Sequence, residues 1–431
     1  MRVLQVNKFF YYRGGSEKAL FQTMNLLEQH GHEVIAFSMQ DERNLPSEHS
    51  DYFVSNVELR RELSLAGLLD GRRWATAGRI IYSREAERKV EELIRATKPD
   101  IAHLHNIYHQ LSPSILRPLR RQQIPTVLTL HDYKLICPNY TMVSRGAVCE
   151  RCKGHKYYQA VLQGCVKDSR LKSALCALEA YAHRVWGIYA RGVDLYIAPS
   201  QFMKQKMMEF GLDGRRIVHV PNFVSVESCE PCPSSEGYFV YSGRIEGAKG
   251  VGTLLEAVRN SQVAQQFELR IAGDGEERAA MEASADGMDH VRFLGWRSPE
   301  EVGSLLRGAL FSVVPSQWYE NAPLTIYEAY AYGKPVIASR IGGIPELVEE
   351  GHTGLLFEPG DAQDLQRKID HLLSHPELAV EMGRNARKLA EEAYGPDRHY
   401  QRLMEVYGRA QESHRNRKGR GTTVVREVSH V

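Results

Sequence analysis

Two cations, two carboxylates and several glycine turns are the residues of this 431-residue chain best placed to do chemistry. Arg244 and Lys249 straddle the loop Ser242-Gly-Arg-Ile-Glu-Gly-Ala-Lys-Gly250, just after an apolar run. A guanidinium forks onto phosphate oxygens and an ammonium adds a point charge, so the pair suits a diphosphate. The competing reading is two solvated surface cations, and a place at the C-terminal end of a strand weighs against it. Further on comes Pro315-Ser-Gln-Trp-Tyr-Glu-Asn-Ala-Pro-Leu-Thr-Ile-Tyr-Glu328. Pro323 fits the first turn of a helix. Glu320 then lies in the loop before that helix, facing a cleft, and Glu328 on the helix itself. The free N–H groups near Ala322 to Leu324 point out of the helix start, toward any diphosphate held by Arg244 and Lys249. One short element thus offers Glu320 for a sugar hydroxyl, backbone donors for phosphate and Glu328 for a ribose diol. An amphipathic helix with two solvated glutamates is the plainer alternative. Gly14-Gly15 lets the backbone approach a phosphate at a helix start, or simply makes a tight turn. Gly342-Gly-Ile-Pro-Glu346 is a second such turn. Neither the full Gly-x-Gly-x-x-Gly pattern nor a P-loop is present, which disfavours a P-loop ATPase.

Strand–helix–strand alternation must position these groups. Apolar runs at Val3–Val6, Val34–Phe37, Ile101–Leu104, Thr126–Leu130, Leu195–Ala198 and Ile217–Val220 read as strands. A helix is expected from Ser16 to about His30 and another near Pro113–Gln122. Periodicity lapses over 225–237, which reads as a linker, and then restarts. Tyr238–Ser242, Leu269–Ala272, Val291–Leu294, Phe311–Pro315 and Val336–Ala338 form a second set of strands. The expected fold is α/β: two doubly wound Rossmann-like domains, 1–224 and 238–395, facing a ligand cleft. A C-terminal helix over 396–412 and a disordered basic tail over 413–431 follow, the tail's other reading being contact with acidic lipid or nucleic acid.

Composition bounds the rest. The chain is 43% hydrophobic and 25% charged, with 55 Lys+Arg against 53 Asp+Glu, so it has no overall bias toward nucleic acid. No apolar run reaches the ~18–20 residues needed to cross a bilayer. The start of the chain enters a strand directly, without the layout of a signal peptide, so a cytoplasmic protein is expected. Five of the seven cysteines fall between Cys137 and Cys176. Cys137, Cys149, Cys152 and Cys165 give one tight Cys-x-x-Cys knuckle flanked by single cysteines, a set that can offer four thiolates to tetrahedral zinc. An iron–sulfur cluster, a reversible disulfide and four free thiols are the rivals. Cys176 reads as core, and Cys229 and Cys232 as surface thiols in the linker.

Taken in order, Gly14-Gly15-Ser-Glu17, His131-Asp132, Gly243-Arg244 with Lys249-Gly250, Gly273-Asp-Gly275, Gly295-Trp296, Glu320-x7-Glu328 and Gly342-Gly-Ile-Pro-Glu346 resemble glycosyltransferase family 4 across nearly the whole chain. The resemblance implies the two-domain GT-B architecture and transfer of a sugar from a nucleotide donor with retention at the anomeric carbon. It implies that Arg244 and Lys249 bind the donor diphosphate, Glu320 the sugar hydroxyls and Glu328 the ribose. It also implies that the backbone of Asn321, Ala322, Pro323 and Leu324 touches sugar and phosphates, that Gly15 approaches the phosphate, and that Ile271 to Glu276 and Gly295-Trp296 frame the base. His131 is expected at the sugar, either near the reacting centre or as an orienting ring. Front-face attack with the leaving phosphate as base is implied, without a catalytic cofactor, and no Asp-x-Asp motif is present to bind a metal diphosphate. The implied setting is surface polysaccharide synthesis on a glycan or lipid-linked acceptor. A nucleotide-sugar epimerase, a phosphorylase, or a nucleic-acid-binding protein using the cysteines remain alternatives, as do UDP, GDP and ADP as carriers.

One stretch bears on the membrane. Arg60, Arg61, Arg72, Arg73 and Arg79 are interleaved with Leu63, Leu65, Leu68, Leu69 and Trp74. Such a surface either rests in an anionic headgroup layer at the inner face of the plasma membrane or packs as an ordinary amphipathic helix on the first sheet.

Overall fold

The computed structural model describes residues 1–56, 78–227, 229–232 and 235–427, so the basic and apolar stretch from Arg60 to Trp74 lies outside the described residues. Two six-stranded sheets organise the chain. The first comprises β1 (Arg2–Val6), β2 (Glu33–Phe37), β3 (Ile101–Leu104), β4 (Thr126–Thr129), and, beyond a small hairpin of β5 (Val143–Ser144) and β6 (Ala147–Val148), β7 (Leu195–Ala198) and β8 (Ile217–His219). Their order is β2-β1-β3-β4-β7-β8. The second comprises β9 (Tyr238–Ser242), β10 (Glu268–Ala272), β11 (Val291–Gly295), β12 (Ser312–Val314), β13 (Val336–Ser339) and β14 (Gly354–Phe357), in the order β11-β10-β9-β12-β13-β14. All their pairings are parallel. Helices therefore cover both faces, which is why β3, β4, β7 and β13 are buried at every residue and read as continuous apolar runs. In each sheet the order turns back beside the first strand. A crevice opens there at the C-terminal strand ends, and β1, β9 and β12 deliver their loops into it.

Around the first sheet lie α1 (Gly15–Gln29), α2 (Arg84–Thr97), α3 (Leu116–Arg121), α4 (Tyr158–Gln163), α5 (Arg170–Val185), α6 (Ile188–Gly192) and α7 (Gln201–Glu209). Around the second lie α8 (Val251–Arg259), α9 (Arg278–Ser284), α10 (Pro299–Gly308), α11 (Leu324–Ala331), α12 (Ala362–Ser374) and α13 (Pro376–Ala393). Local chemistry sets several of their ends. Ser298 and Glu301 form a reciprocal capping box around Pro299 at the start of α10. Ser200 caps α7 by accepting from Met203 N–H at 3.1 Å.

The last helix, α14 (Pro396–Glu427), returns to the first domain. Leu403, Val406, Tyr407 and Ala410 are buried against Val3, Leu27, Ile101, Val127 and Ile197, forming a core on one face of the first sheet. Burying each Leu or Val contributes about 1.5–3 kcal/mol, so this helix is part of the first domain's stability. The helix runs on past residue 413, where a basic tail is expected, to Glu427. Extending a helix already anchored by packing avoids the cost of nucleation, although Gly419, Gly421 and the run Thr422-Thr-Val-Val425 are weak helix formers.

The strand bounds agree with expectation to within a residue or two. β14 and the β5–β6 hairpin were not anticipated, and the helix expected near Pro113 opens as a 3-10 turn over Pro113–Ile115. The segment expected as a linker is bound to the second domain. Val226 joins its core, as does Val224 just before the segment, and the Arg387 guanidinium donates to the carbonyls of Val226 and Cys229 at 3.1 and 2.7 Å. Among the described residues, no helix is long and apolar enough to cross a membrane.

Candidate active site

The loop between β12 and α11 carries the most constrained carboxylate of the cleft. Glu320 is 6% exposed, and its Oε1 accepts from Lys249 Nζ at 2.6 Å, Ser316 Oγ at 2.7 Å and Trp318 Nε1 at 2.7 Å. Burial pushes this carboxyl up, but the Lys249 ammonium and the three donors outweigh it and hold it below the ordinary glutamate range. Lys249 ends a short 3-10 turn over Gly247–Lys249 and also lies 5.1 Å from the centre of the Trp318 ring. The two halves of the expected diphosphate site differ in freedom. Lys249 is committed to Glu320, whereas Arg244 is over half exposed and pairs with Glu246 at 2.9 Å. Gly250 makes this loop possible: its φ is +74°, and a Cβ there would stand 1.8 Å from the Pro315 carbonyl oxygen. Behind Glu320, a Cβ on Gly343 would stand 1.9 Å from the Asn321 carbonyl oxygen, so the Gly342-Gly343 turn backs this loop directly.

Pro323 caps α11 rather than occupying its first turn, and Leu324 is the first helical residue. Gly15 faces that helix start from the other domain, its Cβ position 3.8 Å from Leu324 Cδ1. The structure thus places Gly15, Lys249, Glu320 and residues 321–324 around one mouth. Glu328, further along α11, is ion-paired across the cleft with Lys18 at 2.5 Å. Trp296 is exposed after the left-handed Gly295.

On the first domain's side, the strand ends carry a row of imidazoles, of which His103 and His105 are buried and His131 is half-buried. His131 follows β4, and its Nε2 lies 2.7 Å from His105 Nδ1, the rings stacked at 5.0 Å. His105 Nε2 meets Gln5 Oε1 at 2.9 Å, and His103 bridges Thr129 and Tyr407 at 2.7 and 2.8 Å. With the Gln5 oxygen accepting, His105 Nδ1 accepts from His131 Nε2–H, which leaves His131 Nδ1 bare. The tautomers follow from the amide orientation at Gln5, not from visible hydrogens. Burial pulls His131 down to about 4 and His103 to about 3, so both rings are neutral near pH 7. Asp132 accepts from the Tyr108 hydroxyl and from Lys134 N–H at 2.9 Å, and burial raises its carboxyl. Lys8 Nζ sits 3.7 Å over the Tyr108 ring, and burial brings it down to about 8.

Side-chain bonds tie the two domains together around this mouth. Asn321 donates to the Leu130 carbonyl at 2.7 Å and accepts from Ser200 Oγ at 2.8 Å. Asn222 donates to the Ala322 carbonyl at 2.9 Å, and Glu346 accepts from the N–H groups of Gln201 and Phe202 at the start of α7.

The profile described as Glycosyltransferase Family 4 matches residues 13–228, and that described as Glycosyl transferases group 1 matches 230–389. The chain belongs to glycosyltransferase family 4. Among curated relatives, an uncharacterized glycosyltransferase of Methanocaldococcus jannaschii is 32% identical over 203 residues, which cover 46% of this chain and 55% of that protein. The alpha-D-kanosaminyltransferase of Streptomyces kanamyceticus is 30% identical over 172 residues, covering 39% of this chain and 44% of the relative. The chain therefore spans about half the length of these relatives. Among solved structures, sucrose-phosphate synthase from Thermosynechococcus elongatus superposes with a TM-score of 0.68 at 20% identity, covering 94% of this chain and 98% of that one. Anabaena HepE, in complex with UDP and glucose, superposes at 0.63 and 18% identity, covering 95% and 99%. These likenesses show the GT-B fold.

Within this family 4 chain, several residues at the mouth escaped sequence reasoning. Lys18 stands one turn into α1 after the glycine pair. Ser316 and Trp318 lie inside the motif that was read only for its carboxylates. His103 and His105 are visible as Ile-Ala-His-Leu-His, where polar residues interrupt a buried strand end. Tyr407 had no local signal. The four expected metal-ligand cysteines converge: Cys137, Cys149, Cys152 and Cys165 line one cavity of about 10 Å³ with Ile136, Met142 and Phe210. Burial pushes the Cys137 thiol up to about 11 and Cys152 to about 12. A second polar cluster is internal to the first domain. Lys134 Nζ pairs with the fully buried Glu179 at 2.8 Å, beside His109 and Cys176. With an ammonium already on the carboxylate, this cluster reads as a buried ion pair, not a cation site.

Proposed function

We propose that the protein is a retaining, hexosyl-type glycosyltransferase that moves a sugar from a nucleotide-sugar donor to a glycan or lipid-linked acceptor in surface polysaccharide synthesis. The observation that carries the proposal is the arrangement at the mouth of α11: Lys249 bonded to Glu320 and Gly15 opposite the helix start, with the half-exposed Arg244 on the same loop as Lys249. HepE, which shares the fold, is described with UDP and glucose, which supports a nucleotide sugar as the partner.

Breaking the bond to the diphosphate builds negative charge on the leaving group and positive charge on the sugar. Arg244, Lys249 and the first N–H groups of α11 meet the negative charge with donors fixed in advance, the largest single kind of catalytic contribution. On this reading Lys249 is shared: it neutralises Glu320 and offers its remaining protons to the phosphate. Glu320, held ionised, accepts from sugar hydroxyls, and Glu328 lies one helical turn on, toward the ribose. His131 is neutral and orients the sugar through its bare nitrogen or its carbonyl. Attack comes from the face the diphosphate leaves, and the leaving phosphate takes the acceptor's proton. The positioned cations take the role a divalent ion plays elsewhere, so the transfer step proceeds without one. The family match weighs against an epimerase, a phosphorylase or a nucleic-acid-binding protein. The experiment is a screen of nucleotide sugars and acceptors, with nucleoside diphosphate release measured and the anomeric configuration of the product read by NMR. Equimolar diphosphate and retained configuration are expected. Inversion, or release without a glycosidic product, overturns the proposal.

A further inference from the structure

The segment between β4 and α5 is poorly equipped to hold its own shape. Apart from the two-residue strands β5 and β6, a 3-10 turn over Lys153–His155 and the short α4, it is irregular, and Tyr140, Met142, Arg145 and His155 all adopt left-handed backbone conformations, with φ between 53° and 64°. Each such non-glycine residue costs roughly 1–2 kcal/mol. Against this stand Tyr133, Ile136 and Met142, buried in the first domain's core, and Cys152, Tyr157 and Ala160 packed on Ala177. Yet the segment brings four cysteines, from three separate turns, to one small cavity. Cys137 follows the turn that Tyr133 closes by accepting from Cys137 N–H at 2.8 Å. Cys149 emerges from the hairpin, its N–H donating to the Met142 carbonyl at 2.7 Å, and Cys165 follows α4. Cys165 Sγ donates to Ser144 Oγ of β5 at 3.6 Å, which ties the fourth cysteine to the hairpin.

The knuckle also reaches across the cleft. Glu150, between Cys149 and Cys152, accepts from the Tyr319 hydroxyl at 2.9 Å and pairs with Lys206 at 2.8 Å. Tyr319 immediately precedes Glu320, and its ring packs on Phe202 of α7 with centroids 4.9 Å apart.

We propose that Cys137, Cys149, Cys152 and Cys165 bind one zinc ion, and that the knuckle so fixed braces the Glu320 loop through Glu150 and Tyr319. Zinc–sulfur bonds of ~2.3 Å place tetrahedral sulfurs about 3.8 Å apart. Among the described residues, no three of the four sulfurs lie within 4.8 Å of one another, so zinc would draw them together from the positions where they line the cavity. Each thiol that coordinates gives up its proton to solvent, up to four per ion, and no electron changes hands. Glu150 and Tyr319 are positioning residues. The metal site stands independently of the proposed activity, and the brace rests on it.

The test begins with elemental analysis of the full chain, purified under reducing conditions. One zinc per chain is expected, retained through EDTA and released by a mercurial thiol reagent. Replacement by Co²⁺ should give the intense visible absorption of a tetrahedral thiolate centre, a readout that holds even if Cys149→Ser/Cys152→Ser fails to fold. Absence of bound metal, iron with labile sulfide, or a mass two hydrogens light from a disulfide each overturns the site. The brace is read separately, by titrating UDP, GDP and ADP into wild type, Glu150→Ala and Tyr319→Phe. Both variants should keep full zinc and bind the preferred diphosphate roughly five- to tenfold more weakly, the loss of one hydrogen bond. The double variant should be no worse than either single one, with the acceptor KM unchanged. Wild-type affinity in both variants overturns the brace, whereas no diphosphate binding by wild type counts against the donor-site reading and leaves the zinc result standing.

Discussion

Replacing Lys249 with alanine would strand the Glu320 carboxylate. Its Oε1 would keep the Ser316 and Trp318 donors but lose its counter-ion in a setting where the side chain is 8% exposed. Removing one partner of a buried pair costs about 3–5 kcal/mol, and Lys249's partial exposure argues for the lower end. At roughly 2–4 °C per kcal/mol for a domain of this size, about 3 kcal/mol lowers Tm by roughly 6–12 °C. The pH dependence separates this cause from generic damage. In wild type the carboxyl is held below its ordinary value, so its contribution is present above the unfolded pKa and is lost as pH falls through the folded one. Without Lys249, burial dominates and the folded carboxyl shifts upward, so the variant is penalised near neutrality and relieved as the carboxyl protonates. The Tm gap between wild type and Lys249→Ala should therefore be widest near pH 7.5 and narrow between about pH 6 and 4. Adding Glu320→Gln to Lys249→Ala should restore much of the lost Tm, because a neutral amide needs no counter-ion. Differential scanning calorimetry across pH decides it. A gap that stays constant with pH, together with no recovery in the double variant, would refute the reasoning.

Other outcomes follow from the same geometry. Either Lys249→Ala or Glu320→Gln should lower turnover by about 10²–10³, measured as nucleoside diphosphate release; near-wild-type turnover contradicts the donor-site reading. Tyr407→Ala should cost about 3–5 kcal/mol in urea unfolding, because it opens a cavity under α14 and removes the partner of His103. The unfolded chain binds protons below about pH 6.5 that buried His103 and half-buried His131 refuse, so stability is present above that pH and lost as it falls toward about 4. Wild type should thus lose more Tm between pH 7 and 5 than His103→Gln does, and equal losses contradict the account. The stretch from Arg60 to Trp74 is proposed to rest on anionic lipid. Liposome flotation should then require anionic lipid and weaken with salt and in Arg60/Arg61/Arg72/Arg73→Ser; indifference to lipid charge ends that idea.

Much of the fold was legible because strands buried on both faces leave continuous apolar runs, and β3, β7 and β9 fall where those runs stand. The glycine turns and the Glu320 motif were legible because backbone approach and helix starts demand particular residues at fixed spacing. The pairing inside the site was not. Lys249 could be read as a phosphate ligand but not as Glu320's counter-ion, because that contact joins loops after β9 and β12, far apart in the chain. The same holds for Lys18 with Glu328, and for Asn321, whose side chain reaches Leu130 across the domains. The return of α14 to the first domain was hidden for a different reason. An amphipathic stripe shows that a helix is buried, and says nothing of which sheet it covers.

The central claim, that fixed cations and the start of α11 hold a diphosphate leaving group, is tested most directly by calorimetric titration of EDTA-treated protein with nucleoside diphosphates and the matching monophosphates. Arg244 is the residue to change, because its exposed side chain makes Arg244→Ala safe for folding. Wild type should bind one diphosphate per chain without divalent metal and prefer it clearly to the monophosphate. In Arg244→Ala that preference should shrink by roughly tenfold or more, the loss of one charge-assisted contact. An unchanged preference, or diphosphate binding that appears only when Mg²⁺ is added, would contradict the account.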